Sequence, residues 1–243
     1  MRLYPRIQTF LHQRLFDGLF ARFVGILIID ILLIQTIGSK AFDNFLETFK
    51  YYFDNYFIGA KFISCVKFSM AGSFSKYLVP FVLIILWLFN QRQLLKMCFY
   101  LYLCWVNSKF LIAMLFLVFG LWNPTASGLD YLVLGCLAWV TNVLIFATWY
   151  WLIDRDHQKL FIQDKTVAIN FLFIPTTSDL PRYQSWVPSF FDYLFLAFNT
   201  SISFSQSNTG YLTKKGRILT MLQALIALII NVIIIARAVS LIR

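Results

Sequence analysis

The sequence predicts an all-α, polytopic membrane protein with about five transmembrane helices and one further short helix near its C-terminus. Three observations lead there. Of 243 residues, 60% are hydrophobic and only 13% charged. The mean hydropathy is +0.71, and apolar runs of about 20 residues, the length that crosses a bilayer, recur along the chain. A soluble domain of this size carries about twice that share of charge. Aromatic residues make up 19%, with 27 Phe, 12 Tyr and 7 Trp, more than one packed core needs and in keeping with lipid-facing helices and interfacial rings.

Four runs precede the terminal region. The first is Leu19 to Gly38, the second Gly72 to Asn90 with Pro80 inside it, and the third Met97 to Leu121, ending at the Trp122-Asn123-Pro124 turn. The fourth, Leu129 to Ile153, closes with Trp149 and Trp151 at the expected interface. Between the first and second, residues 40–76 place Phe42, Phe45, Phe49, Tyr52, Phe53 and Tyr56 at three- and four-residue steps among Asp43, Glu47, Lys50 and Asp54. That spacing predicts an amphipathic helix lying in the interface. Residues 1–153 are thus read as a four-span membrane region. Residues 154–189, with their charges and Pro175, Pro181 and Pro188, are read as a loop outside the bilayer, and residues 190–243 as a helix-loop-helix module ending in a span from about Ile218 to Ile242. No internal repeat is evident, which leaves an inverted-repeat transporter without support.

Charge sharpens the class. The net charge of +10 falls in short groups beside apolar runs: Arg2, Arg6, Arg14 and Arg22; Arg92 and Lys96; Lys214, Lys215 and Arg217. The positive-inside rule accounts for such groups, so the bilayer is the expected partner and nucleic acid is not. The basic N-terminal run with no small-residue cleavage site after it is read as a retained signal-anchor, with the N-terminus cytoplasmic. Cys65, Cys98, Cys104 and Cys136 form no CxxC pair and support neither a disulfide framework nor a zinc site.

In the terminal module, Pro188 and Ser189 stand ahead of the apolar run from Phe190, with Asp192 in its first turn. These are helix-start signals. The negative end of that helix dipole would then point at Ser203, Phe204, Ser205, Gln206, Ser207 and Asn208, a useful arrangement if a cation sits there. A plain transmembrane helix ending in a polar turn is the competing reading. If the helix dips and returns, all three basic groups fall on the cytoplasmic side. If it crosses, the Lys214 group moves outside. A tetrameric cation channel instead presents its pore loop outward, which would invert the whole chain against the charge bias of its first helix.

The module resembles the pore region of the potassium-channel superfamily, whose filter reads Thr-x-x-Thr-Val-Gly-Tyr-Gly-Asp and is followed by Thr-x-x-Gly-Arg. Laid over this chain without a gap, that pattern puts Thr200 on the first Thr, Ser203 to Ser207 on the filter, Asn208 on the Asp, and Thr213, Gly216 and Arg217 on the trailing motif. The resemblance implies a homo-oligomer passing monovalent cations, with Thr200 and residues 203–208 lining the path. The departure lies in the filter itself. Ser205 and Ser207 stand where glycines allow positive φ, at about 1 kcal/mol or more against each serine, so a wider, weakly selective path is expected in place of a carbonyl-lined potassium filter. More broadly, residues 137–243 are similar to an uncharacterised family of small bacterial inner-membrane proteins through Trp139 to Trp151, Phe191 to Leu194 and Ala236 to Val239. This implies a bacterial inner-membrane location and adds no activity.

Polar residues inside the spans are the other candidates, since a buried charge there costs roughly 3 kcal/mol. Asp30 and Lys109 are a candidate intramembrane ion pair, structural or proton-conducting. Asn142 and Asn231 are candidate helix-contact residues, and Asn231 would face the axis of a channel-like assembly. Arg237 is expected to snorkel to the interface. Enzyme chemistry finds no foothold. There are two histidines, no HExxH or GxSxG and no phosphate-cradling glycine loop, and Asp154-Arg155-Asp156-His157 reads as a charged interfacial cap. No cofactor and no metal are expected. The function expected is a weakly selective cation channel with a degenerate filter; a non-conducting membrane scaffold and a small-molecule or proton-coupled transporter are the alternatives.

Overall fold

A computed structural model describes residues 25, 30, 36–37, 39–44, 92–122, 127–178, 180–183, 186–203 and 209–241. The second expected span, nearly all of the first, most of the interfacial segment 40–76 and the loop residues 204–208 lie outside the described residues. The chain divides into two units, Met1–Ala126 and Ser127–Arg243. The described chain is mostly helical, and three of its helices are long and apolar enough to cross a membrane.

In the first unit, helix α1 spans Arg92–Phe119 and tightens into a 3-10 turn at Gly120–Trp122. Its apolar residues encircle the helix, yet only one face is covered. Phe99, Leu103, Val106, Phe110, Ala113 and Leu117 are buried at three- and four-residue steps, while Leu101, Trp105, Leu111 and Leu115 are exposed. That is the division expected of a span with protein on one side and lipid on the other. Phe42 meets Phe116 edge-on at 5.2 Å between ring centroids.

The second unit is built from α2 (Gly128–Gln163), strand β1 (Phe171–Phe173), α3 (Phe190–Ser203), strand β2 (Thr209–Tyr211) and α4 (Lys214–Ser240). Helices α2 and α4 are long, antiparallel and in direct contact. Gly128 lies against Ser240 and Leu241, and Gly135 against Ile234. At Gly135 a Cβ would come within 2.8 Å of Ile234 Cγ1, so the two backbones approach this closely only because the side chain is missing.

Helix α2 does not stop at Ile153, where its apolar run ends. It continues to Gln163, because the side chains that close the run satisfy each other within the helix: Gln158 Nε2 donates to Asp154 Oδ2 at 2.8 Å, one turn back. Hydropathy marked the edge of the apolar slab, and the helix outlives it. Residues 154–189 are accordingly no continuous loop. After α2 they form an Asx turn at Asp164, strand β1 and 3-10 turns at Ile174–Thr177 and Pro181–Tyr183.

The strands correct the all-α expectation in a small way. They form a two-stranded antiparallel sheet with Phe171 opposite Tyr211 and Phe173 opposite Thr209, and three residues per strand is too short for a period-2 signal to stand out. Helix α3 starts where its sequence signals place it. Asp192 Oδ2 accepts from both the backbone N–H and the hydroxyl of Ser189 at 2.7 Å, the reaching-back half of a capping box. Helix α4 begins four residues before its apolar run, because Thr213 Oγ1 accepts from Gly216 N at 3.2 Å and caps it there.

Candidate functional site

The polar residues of the second unit gather at two levels along α2. The upper level is centred on Asp154, which is fully buried. Its Oδ1 accepts from the backbone N–H groups of Asn170 at 2.7 Å and Phe171 at 3.3 Å. Its Oδ2 accepts from Gln158 Nε2 and from the Tyr193 hydroxyl at 3.0 Å. All four neighbours donate, which suits a group whose ionised form only accepts. Asn170 carries the network onward. Its Nδ2 donates to Ile153 O at 2.8 Å, its Oδ1 accepts from Thr213 Oγ1 at 2.6 Å, and its carbonyl accepts from Leu212 N at 3.0 Å. One carboxylate thus ties α2, β1, α3 and the start of α4 together. Of the charged interfacial cap expected of Asp154-Arg155-Asp156-His157, Asp154 is instead a buried hub, while Asp156 and His157 are exposed.

An aromatic layer lies just below. The Phe171 ring meets Tyr150 at 5.1 Å, Tyr211 at 6.0 Å and Tyr193 at 6.4 Å, and Phe173 meets Tyr193 at 5.3 Å and Trp186 at 6.0 Å, all edge-on. Edge-to-face pairs of this kind add about 0.5–1.5 kcal/mol each beyond their buried area. Burial in this layer pushes the Tyr211 phenol above its ordinary value.

The lower level is neutral. Gln223 of α4 is fully buried; its Nε2 donates to Ala197 O at 2.8 Å and Ser201 Oγ at 2.9 Å, and its Oε1 accepts from the Tyr150 hydroxyl. Asn142 Nδ2 donates to Ser201 Oγ at 3.4 Å, and Asn231 Nδ2 donates to the Ser201 carbonyl at 3.2 Å. The last carbonyls of a helix have no partner within it; here α4 supplies one for Ser201.

These contacts fix where α3 runs. It starts beside Asp154 through Tyr193 and ends beside Asn142 and Asn231 through Ser201. Asn142 is about 18 Å along α2 from Asp154 and about 21 Å from Gly128, at 1.5 Å per residue, so α3 ends near mid-depth. Thr209 is back beside Phe173, whose ring packs on Tyr193 at the start of α3. Ser203 and Thr209, the described residues on either side of 204–208, thus lie at different levels.

The expected site residues fall as follows. Thr200 is buried and its hydroxyl donates to Leu196 O at 2.8 Å, within its own helix. Ser203 is the last residue of α3, while Phe204, Ser205, Gln206, Ser207 and Asn208 lie outside the described residues. Asn142 and Asn231 converge on Ser201. Asn231 thus reaches its own α3, where the end of that helix offers an acceptor. In the first unit Asp30 and Lys109 form an ion pair, and the Tyr102 hydroxyl donates to the second carboxylate oxygen at 3.0 Å. Asp30 and Lys109 are 1% and 5% exposed, so the pair is buried. Gln223, the best-connected side chain of the lower level, escaped the sequence reading, although a lone amide inside the most apolar span is the same signal that singled out Asn231.

Compared with protein-family models, with curated proteins and with solved structures, the chain matches none. The reading of the site rests on its own geometry.

Proposed function

We propose that residues 127–243 are a pore-type module of a homo-oligomeric, weakly selective cation pathway in a membrane. The supporting observation is the path of α3: it starts at the level of Asp154, ends near mid-depth at Ser201, and is followed by a return to the starting level at Thr209. Fourteen residues make a helix about 21 Å long, short of the roughly 30 Å of a bilayer core. A helix that ends at such a depth leaves backbone groups that are tolerated only where protein covers them or water reaches them. A surrounding assembly with a hydrated path meets that requirement. The apolar stripe Phe191, Phe195, Phe198 and Ile202, exposed on α3, offers a surface for another copy to cover.

Cation preference follows from the dipole of α3, whose negative end lies at Ser203, where the sequence runs on into Ser205, Gln206, Ser207 and Asn208. The Lys214, Lys215 and Arg217 group and the N-terminal basic group are each read as lying on the positive-inside side. By the positive-inside rule that side and the N-terminus are cytoplasmic, in an inner membrane if the bacterial resemblance holds. The test is ion flux from proteoliposomes holding the full chain. Cation efflux is expected, altered by the pair Ser205→Gly and Ser207→Gly. No flux from correctly inserted protein under any gradient would sink the proposal.

A non-conducting scaffold is the second reading, and the lower level favours it. Ser201, Gln223 and Asn231 spend their polar groups on one another within a single chain, as a purely structural turn would require. Under that reading the two glycine substitutions change stability and leave flux at the level of empty vesicles.

A further inference from the structure

The second unit is electrically lopsided. Lys159, Lys165, Arg182, Lys214, Lys215 and Arg217 are all exposed at the Asp154 end. At the opposite end, beside Gly128 and Ser240, Arg237 is the one basic side chain among the described residues, and its guanidinium lies over the Tyr131 ring at 4.6 Å. Among the described residues, each acid at the basic end already has a partner. Asp154 takes four donors, Asp156 meets Arg155 at 3.3 Å, Asp164 accepts from Thr166, and Asp192 accepts from Ser189. Lys159, Arg182, Lys214, Lys215 and Arg217 make no ion pair among the described residues. Arg155, Lys159, Lys165, Arg182, Lys214, Lys215 and Arg217 thus outnumber Asp154, Asp156, Asp164 and Asp192 among the described residues, and this end carries an excess of positive charge.

Its position is equally specific. Lys214, Lys215 and Arg217 occupy the first turn of α4, which holds no acid, against the preference of a helix N-terminus for negative charge. Directly below them begins the exposed apolar surface of α4, with Ile218, Met221 and Leu222. Thr213 reaches Asn170, which is bonded to Asp154 and Ile153, so this turn is level with the end of the apolar part of α2. The cations thus stand one step outside the belt that acyl chains would cover, at the height of phospholipid headgroups.

We propose that this end of the second unit is a binding surface for the anionic headgroups of phospholipids, centred on Lys214, Lys215 and Arg217. A negative headgroup supplies what the unit lacks: a counter-charge for the unpaired cations that also sits favourably at the start of α4. The surface is independent of ion conduction and stands under either reading of the module.

The test uses the full chain in phosphatidylcholine membranes, with trace spin-labelled phosphatidylglycerol or spin-labelled phosphatidylcholine reporting how much of each lipid the protein immobilises. The wild type is expected to favour phosphatidylglycerol at low salt and to lose that preference as salt rises. The variant K214Q/K215Q/R217Q is expected to lower it by up to roughly fivefold per charge removed, while Arg237→Gln leaves it unchanged. Equal immobilisation of the two lipids by the wild type, a preference indifferent to salt, or one that survives the triple substitution intact in folded protein would each overturn the proposal. The salt series needs no variant, so a folding defect in the triple substitution leaves the question decidable.

Discussion

The two polar levels of the second unit solve one problem by different chemistry. At the upper level a carboxylate is buried completely and satisfied by two backbone N–H groups, an amide and a phenol. At the lower level, near mid-depth, every participant is a neutral amide, hydroxyl or carbonyl. The difference follows from what each depth offers. Near the end of the slab the chain leaves its helix and forms a strand, which frees backbone N–H groups to be aimed at a carboxylate. At mid-depth α2 and α4 keep their N–H groups for themselves, so only side chains and the end of α3 remain. A charge placed there would find too few donors.

The sharpest way to break this comparison is to remove the centre of each level. Asp154→Ala leaves four donors facing nothing and is expected to cost about 3 kcal/mol or more, against about 1–3 kcal/mol for Gln223→Leu, read as thermal unfolding of the purified protein in detergent. A larger loss at Gln223 would put the weight of the fold at mid-depth and reverse the ranking. A finer comparison deletes a single hydroxyl from each level. Tyr193→Phe removes one donor from a carboxylate and should cost about 1.5–3 kcal/mol, while Tyr150→Phe removes one from an amide and should cost about 1 kcal/mol. Equal losses would mean that the carboxylate draws no more from its donor than the amide does.

The smallest effect is expected at an exposed acid beyond both levels. The N–H and hydroxyl of Thr166 hold the Asp164 carboxyl below the usual carboxylate range. A lowered folded value stabilises the fold above the unfolded value of about 3.9 and stops doing so as pH falls through the folded one. The melting-temperature gap between wild type and Asp164→Ala should therefore be small and constant near neutrality and close below about pH 4. A gap that widens on acidification would contradict the assignment.

Sequence and structure agree where a residue's role is local. Ser189 and Asp192 announce the start of α3, and the apolar runs locate α1, α2 and α4, because capping and hydropathy act within a few residues or average over a whole span. The roles that stayed hidden depend on partners far away in the chain. Asp154 looks like a surface charge until Asn170, Phe171 and Tyr193 fold over it, and Gln223 looks incidental until Tyr150 and Ser201 reach it. The strands went unread for the related reason that residues 171–173 become a strand only by pairing with 209–211. Asp30 and Lys109 are the informative exception: 79 residues apart, they could be matched in advance, since a buried charge inside a span has few partners to choose from.

Gln223 and Asn231 hold α3 from two places about two turns apart on α4, one by the Ala197 carbonyl and the Ser201 hydroxyl, the other by the Ser201 carbonyl. A twist of α4 about its own axis would strain both holds. The pair therefore fixes α3 against α4 in both height and rotation, since each amide sets a different point of contact.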